Sequence, residues 1–366
     1  MSLIHKIALT LIKNVGDINA RNLLNHFGSA EAVFTADKHQ LLEITGVGEV
    51  MARHILSTDA LVMAEQQLAF LKKHQIEVLF ITDENYPQRL KACFDAPVLL
   101  YYRGSADLNH HRIISVVGTR NATAYGHSLC NQLAETLKPY DVLIVSGLAY
   151  GIDVAAHKES LAAGIPTVGV LAHGLDRMYP AVHRQIANKM MKNGGLLTEF
   201  PVDTNPDKPN FPRRNRIIAG LADVTIVVEA AMKGGALITA EIANSYHRDV
   251  FAFPGRTMDE YSQGCNFLIK TNRAALIAHP KDLIYLMGWE LVEPWREGRQ
   301  TEIALNLSAE EQKIINMLRY SALQVDELGI KAEIQQSKLA MYLLNLEIKG
   351  VIISLPGKIY QLNAFQ

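Results

Sequence analysis

The stretch Lys208-Pro209-Asn210-Phe211-Pro212-Arg213-Arg214-Asn215-Arg216 gathers four cations and one aromatic ring. Cations interleaved with an aromatic can hold a single nucleic-acid strand, because lysine and arginine track the phosphates while a base stacks on the ring. A charge run of this kind can also be merely solvated. Here it leads directly into Ile217-Ile218-Ala219-Gly220, which must pack on a core, so part of it is expected to face a groove. Arg213 or Arg216 has a structural alternative as partner of a carboxylate such as Glu199 or Glu229. Three glycine turns accompany the cluster. Gly118-Thr119-Arg120-Asn121 follows an apolar run and precedes a helical stretch, Ser146-Gly147-Leu148-Ala149-Tyr150-Gly151-Ile152-Asp153 repeats the device, and Lys233-Gly234-Gly235-Ala236-Leu237-Ile238-Thr239 repeats it again. A glycine at a strand end lets the backbone turn sharply beside a helix start whose N–H groups lack partners, which suits an anion. Arg120 would add a bidentate clamp on a phosphate. The candidate DNA-binding residues are therefore Gly118, Thr119, Arg120, Ser146, Gly147, Lys208, Phe211, Arg213, Arg214, Asn215, Arg216, Lys233, Gly234, Gly235 and Thr239. Asp153 reads as a helix cap rather than an acid catalyst, and His173 as a polar groove residue rather than a general base.

Other chemistries lack their residues. The turns match neither a Walker A loop nor a dinucleotide fingerprint, so no cofactor is expected. There is no His-Glu-x-x-His, no Gly-x-Ser-x-Gly and no paired His/Cys spacing for a metal, so neither a catalytic constellation nor a metal site is expected; His110 and His111 read as ordinary loop residues before a strand. Cys93, Cys130 and Cys265 stand far apart and read as reduced, packed thiols. With 36 Lys and Arg against 37 Asp and Glu, the net charge is −1, so any polyanion site must be a local patch. No apolar run reaches the roughly 18 residues of a membrane span, and the start of the chain lacks the pattern of a secretory signal, so a cytoplasmic protein without membrane association is expected.

The elements that must position these turns follow from periodicity. Between Glu77 and Leu286, β-branched runs at Ile113–Val117, Val142–Val145, Thr167–Leu171, Leu196–Glu199, Val224–Val228 and Val250–Phe253 alternate with helical stretches at Ala124–Lys138, Val154–Ala163 and Ala181–Lys192. Near-continuous apolar strands separated by helices predict a mostly parallel, doubly wound α/β sheet of Rossmann-like type over residues 77–287, with ligands beyond the carboxyl ends of its strands. Residues 1–72 read as short helices with Val15-Gly16-Asp17-Ile18 and Thr45-Gly46-Val47-Gly48 at two helix starts. They suggest a helix-hairpin-helix (SAM-like) domain whose glycines either contact a DNA phosphate or simply cap helices in a packing domain. A polar linker is expected over residues 288–306. Over residues 307–366, a capping box at Ser308-Ala309-Glu310-Glu311, two further helical stretches and a hairpin around Pro356-Gly357 outline a winged helix. Its third helix carries few positive charges, which leaves protein contact or regulation open beside DNA binding.

The ordered set Tyr86-Pro87, Pro97 with Tyr101 and Gly104, Val116-Val117-Gly118-Thr119-Arg120, Ser146-Gly147-Leu148-Ala149 with Gly151-Ile152-Asp153, Gly174-Leu175-Asp176 with Tyr179-Pro180, Phe211 to Gly220, Gly235 to Ala240, and Phe251-Ala252 with Pro254-Gly255 resembles the DNA-processing protein A family, also called DprA or Smf. The resemblance implies a cytoplasmic bacterial protein of natural transformation and recombination that binds single-stranded DNA, forms homodimers through its Rossmann-like domain and loads the recombinase RecA. It also implies that Arg120 contacts phosphate, that Lys208 and Phe211 supply a cation and a stacking ring, and that Arg214 and Asn215 assist. Tyr150, Gly234 and Arg273 depart from the family pattern, and Arg273 is expected to extend the groove. Gly234-Gly235 with Thr239 and Glu241 is also similar to the Pro-Gly-Gly-x-Gly-Thr-x-x-Glu region of nucleoside-monophosphate phosphoribohydrolases. Lys233 in place of the proline and Leu237 in place of the second glycine favour a binder over that enzyme.

Overall fold

A computed structural model describes residues 2–289, 307–319, 322–355 and 358–363. Residues 1–292 and 293–366 are two separate units. The first opens with helices α1 (Leu3–Leu11), α2 (Asp17–Phe27), α3 (Ala30–Thr35), α4 (Lys38–Leu42), α5 (Glu49–Leu56) and α6 (Ala60–Lys73). The two glycine hairpins share one geometry. Gly16 and Gly48 are the N-caps of α2 and α5 in nearly the same extended conformation, and each is preceded by the same turn, Val15 N–H to Ile12 O and Val47 N–H to Ile44 O. The first hairpin is tied to the sheet: Asp17 accepts the Val98 amide at 3.0 Å and the Arg216 guanidinium at 3.0 Å. Apolar residues of these helices, among them Ile7, Leu9 and Leu23, share one core with the strands that follow.

Then come β1 (Glu77–Phe80), α7 (Gln88–Lys91), β2 (Leu99–Gly104), β3 (Ile113–Val117), α8 (Ala124–Leu137), β4 (Leu143–Ser146), α9 (Ile152–Ala163), β5 (Thr167–Val170), α10 (Arg184–Met190), β6 (Gly194–Thr198), α11 (Asn210–Leu221), β7 (Val224–Val227), α12 (Gly235–Ser245), β8 (Asp249–Ala252), α13 (Glu260–Lys270), β9 (Ala275–Leu276) and α14 (Pro280–Leu286). Among the described residues these strands form one sheet in the order β1-β2-β6-β5-β4-β3-β7-β8-β9. All neighbours are parallel except β1 with β2 and β2 with β6. The mostly parallel α/β sheet is thus as the sequence predicts. Strands β1, β2 and β9 went unread: β1 and β9 are short outer strands, and β2 pairs antiparallel on both sides and so falls outside the alternation of parallel strands with helices. Strand residues alternate between two apolar layers: Val117, Val145 and Val227 pack with α11 and α12, whereas Ile114, Val116, Ile144 and Ile226 pack with α8 and α9. The chain runs from β3 outward through β4, β5 and β6, and then crosses back to place β7 on the other side of β3. The loops after β3 and β7 therefore diverge at a switch point, where a doubly wound sheet opens a crevice.

The second unit contains α15 (Ala309–Leu318), β10 (Leu323–Gln324), α16 (Val325–Ala332), α17 (Gln336–Ile348), β11 (Ile352–Leu355) and β12 (Ile359–Leu362), with strand order β10-β12-β11. It is the expected winged helix. The capping box is present, Ser308 accepting the Glu311 amide and Glu311 the Ser308 amide, and Lys349 holds Glu311 at 3.0 Å. Its core is built from Ile314, Leu318, Leu328, Leu339, Leu343 and Leu346. Residues 290–306 of the expected linker and Pro356-Gly357 lie outside the described residues.

Candidate nucleic-acid interface

A cleft of about 480 Å³ opens at the switch point. It is walled by Gly118, Thr119 and Arg120 after β3, by Ala149 and Asp153 after β4, by Phe211, Arg214 and Asn215 of α11, and by Lys233, Gly234, Gly235 and Thr239 at the start of α12. Four segments far apart in sequence thus meet on one rim. Gly147 lines a smaller recess that opens beside the cleft, together with Arg120, Tyr150, Tyr179 and Phe211.

The cations divide by their helical phase. Phe211, Arg214, Asn215 and Ile218 are spaced i, i+3, i+4, i+7 along α11 and line the cleft, whereas Arg213 and Arg216, three apart, lie on another side. Arg216 is a structural residue, which corrects its expected place in the groove. Its guanidinium pairs with Glu199 at 2.5 Å and Asp17 at 3.0 Å and also donates to the Asp95 carbonyl. Burial alone would lower its affinity for a proton, but Glu199 and then Asp17 outweigh that and hold it above the usual arginine value. Arg213 lies 3.4 Å from the same Glu199 and covers the Phe200 ring, beside an opening lined by Gly16, Asp17 and Asp95 rather than by the cleft residues. Of the two acids considered, Glu199 is thus the partner. Glu229 instead accepts the amide and hydroxyl of Thr123.

Arg214 faces the cleft yet is only 3% exposed. It donates to the carbonyls of Gly147 and Val170, at the ends of β4 and β5, and to the Asn215 side chain at 3.2 Å. Burial lowers its pKa to about 10, opposed chiefly by Asp153, whose carboxyl burial raises above the usual range. Arg214 is therefore a charged floor, not a free clamp. Gly147 fits because a Cβ there would collide with the Arg214 guanidinium and come within 2.5 Å of Asp153. Asp153 is not the helix cap, a position held by Gly151, but accepts the Ala149 amide from inside the first turn. Ser146, another expected groove residue, is fully buried with its hydroxyl donated to Val116 O at 2.6 Å.

The helix starts also differ from expectation. Thr119 N–H is spent on Glu229 O, and the start of α8 is capped by the Thr123 hydroxyl. Gly118 is needed because a Cβ would come within 2.5 Å of Ile152. The exposed, uncapped start facing the cleft belongs to α12, where Gly234 is the N-cap with no side-chain hydrogen bond. Thr239 is buried and donates to Gly235 O at 3.0 Å, so it anchors that turn.

Three candidate cations, Arg120, Lys208 and Lys233, remain without an acidic partner among the described residues, and Lys233 is exposed in the lining of the cleft. Arg120 is exposed and stacks over the Phe211 ring, 5.2 Å from its centroid, while Tyr179 meets the same ring edge-on at 6.0 Å. Lys208 is exposed just before α11, outside the lining of the cleft itself. Sequence reasoning missed Tyr179, Asn121 and Tyr261, the last two joined by a 3.0 Å hydrogen bond at the rim. An isolated aromatic carries no signal until the fold sets it beside a charge. His173 is buried with both nitrogens engaged, Nδ1 with Gly174 O and Nε2 with the Tyr179 amide, and burial lowers its pKa. It holds the Tyr179 backbone and is not a free groove residue. Arg273 is not in the lining of the cleft itself but borders an adjoining opening that shares Lys233, Gly234 and Ile238 with it, and there it pairs with Glu241 at 2.8 Å beside Phe267.

Residues 77–288 match the family described as DNA recombination-mediator protein A, residues 299–358 the DprA winged helix domain, and residues 7–60 a helix-hairpin-helix motif. The chain belongs to the DNA recombination-mediator protein A family. Protein Smf of Synechocystis is 31% identical over 97% of both chains, and Protein Smf of Escherichia coli 34% identical over 80% of this chain and 79% of its own. DNA processing protein DprA of Bacillus subtilis is 41% identical over 57% of this chain and 71% of its own. Among solved structures, Streptococcus pneumoniae DprA superposes with a TM-score of 0.65 at 31% identity, covering 78% of this chain and 98% of that one. DprA of Helicobacter pylori, solved for its single-stranded DNA binding mode, gives 0.54 at 30% identity and covers 59% and 98%. No helix of the described residues is long and apolar enough to cross a membrane.

Proposed function

We propose that the chain binds single-stranded DNA in the switch-point cleft, without cleaving it, and hands the strand to RecA during transformation or recombination in the cytoplasm. The observation that carries this reading is Arg120 stacked on Phe211 without an acidic partner, facing the uncapped start of α12. Phosphates would run between Arg120, Lys208, Lys233 and the amides of Gly234 and Gly235, with a base on Phe211 and Tyr179. Gly118, Thr119, Gly147, Arg214, Asn215 and Thr239 would shape the walls rather than grip the strand. Glu241, the carboxylate a phosphoribohydrolase would need, is instead paired with Arg273 and absent from the cleft lining, which supports binding over hydrolysis.

Two further proposals concern partners. A homodimer through the sheet domain is supported by Leu276, an exposed apolar residue on β9, the outermost strand at that side of the sheet. The winged helix is assigned to protein contact, because the exposed side of α17 offers Met341, Leu344 and Ile348 with Lys338 as its exposed cation.

The test of the cleft is Arg120→Ala with Lys208→Ala, assayed on single- and double-stranded oligonucleotides over a range of salt. The double variant should lose at least about tenfold in single-strand affinity, and its log–log salt slope should flatten by about 1.4, at about 0.7 per phosphate released. Unchanged affinity and slope would remove DNA from this cleft.

A further inference from the structure

We propose that His110, His111 and Asp141 form a binding site for one divalent transition cation of the zinc class, at the opposite end of the sheet from the cleft. Each side chain offers a ligand atom, and among the described residues these three atoms lie within 4.8 Å of one another. His110 Nε2 is 3.3 Å from Asp141 Oδ1 and His111 Nδ1 is 3.7 Å from Asp141 Oδ2. A tetrahedral zinc ion bound at about 2.0–2.1 Å needs donor atoms roughly 3.3 Å apart, so side-chain rotations that draw the widest pair together by up to about 1.5 Å close the site. Water would take the fourth position.

The surroundings orient the ligands. His110 Nδ1 is 3.1 Å from the Arg112 carbonyl and 3.3 Å from the Arg112 amide. In the tautomer that donates Nδ1–H to the carbonyl, Nε2 presents its lone pair toward Asp141 and can take a metal. A bound cation would take the place of the 3.3 Å contact between Nε2 and the carboxylate, and a histidine that donates its other ring N–H to a backbone carbonyl is the usual arrangement around such an ion.

The backbone is fixed as well. Arg89 donates to both histidine carbonyls, at 2.7 and 2.9 Å, while its Nε pairs with Asp223 at 2.5 Å, and Asp223 in turn accepts the Ile113 amide. On the other side, Arg112 donates to Tyr140 O at 2.6 Å and the Leu143 amide to Arg112 O at 2.9 Å. Asp141 has a left-handed φ of 47°, held just ahead of β4. The histidines stand just ahead of β3, and Ile113 pairs with Leu143, so an ion would clip together the entries of two adjacent parallel strands. The sequence hides this site because its third ligand lies thirty residues away from an unremarkable histidine pair.

Untagged full-length protein titrated with zinc chloride in neutral buffer should take up one equivalent at micromolar or tighter affinity. Cobalt chloride should give visible d–d absorption without a thiolate band, because all three cysteines are buried elsewhere. His111→Ala and Asp141→Asn change exposed side chains, and each should weaken zinc at least about tenfold while leaving metal-free circular dichroism unchanged. Zinc should also raise the melting temperature of the wild type more than that of either variant. Uptake by the wild type only at millimolar zinc, or equal uptake by wild type and both variants, would overturn the site. The cobalt spectrum of the wild type decides the matter even if a variant folds poorly, since absence of tetrahedral bands refutes the proposal by itself.

Discussion

Replacing Arg216 with alanine separates folding from binding. Its guanidinium is the main counterion of Glu199, whose side chain is 4% exposed, and it also reaches Asp17 and the Asp95 carbonyl. After truncation Glu199 keeps only Arg213 at 3.4 Å, a side chain 57% in solvent, and its Oε1 already lacks a hydrogen bond among the described residues. Removing one partner of a buried pair costs about 3–5 kcal/mol, and the partly exposed Asp17 contact adds under about 1 kcal/mol. The sign of the pH dependence follows from burial, which raises the Glu199 carboxyl above its usual range even with Arg216 opposing it. Without Arg216 the carboxyl moves higher still. A raised carboxyl contributes stability while protonated and loses it as pH rises through the folded-state value, so the deficit should be largest near about pH 8 and shrink toward about pH 5. Glu199→Gln in the Arg216→Ala background removes the stranded charge and should recover much of the loss. Urea unfolding of the wild type, both single variants and the double variant at the two pH values measures the cycle, and single-strand affinity is read where the Arg216→Ala protein remains folded. A deficit below about 1 kcal/mol, one independent of pH, or a specific loss of DNA affinity in the folded variant would refute this account.

Acid sensitivity should reside partly in His157, whose Nδ1 donates to the Thr167 hydroxyl while Nε2 is buried without a partner among the described residues. Burial lowers its pKa to about 3, so stability falls as pH drops from 6.5 toward that value; at about pH 5 the wild type should lose about 2 kcal/mol that His157→Gln does not lose, as read by unfolding at pH 5 and 7. Phe211→Ala should cost about 1–3 kcal/mol of single-strand binding in a fluorescence titration with little change in melting temperature, since the ring is partly exposed. Gly147→Ala should do the reverse and lower the melting temperature first, because its methyl meets Arg214 and Asp153. Deleting residues 305–366 should leave single-strand affinity within about twofold in a gel shift, whereas a large loss would make the winged helix a DNA-binding arm.

Much of the fold is written in local patterns. The strands that begin near Ile113, Val142, Thr167 and Val224 announce themselves as short β-branched runs, because a strand buried on both faces must be apolar throughout, and the first two exit directly into Gly118 and Gly147. Strand β2 announces nothing of the kind. Leu99–Gly104 pairs antiparallel with both β1 and β6 and carries mid-strand tyrosines whose hydroxyl roles depend on other segments; the Tyr102 hydroxyl, for instance, lies 2.9 Å from both the Ala106 and Gly194 carbonyls. Such a strand is recognisable only once the sheet exists. The same holds for the hairpin at Gly16, whose neighbour Asp17 finds its purpose in Val98 and Arg216.

The site was legible as a place but not as a division of labour. Charge density marks Lys208 to Arg216 without saying which cations are spent inside the protein. Reading the helix from Asn210 rather than from Ile217 supplies that answer. Pro212 falls within the first turn, where its missing N–H costs nothing, and from there the 3.6-residue period sends Phe211, Arg214 and Asn215 toward the cleft and Arg213 with Arg216 toward Glu199. What periodicity cannot give is depth. Arg214 points at the cleft as its phase demands, yet the carbonyls of Gly147 and Val170 already occupy it. A strand entering here would meet a surface whose positive charge is set from below by a fixed arginine and from above by three exposed cations, Arg120, Lys208 and Lys233. The buried charge holds the walls in place and biases the potential, while the exposed cations would decide how binding responds to salt. An Arg214 substitution should therefore act through the folded state, and an Arg120 substitution through the DNA.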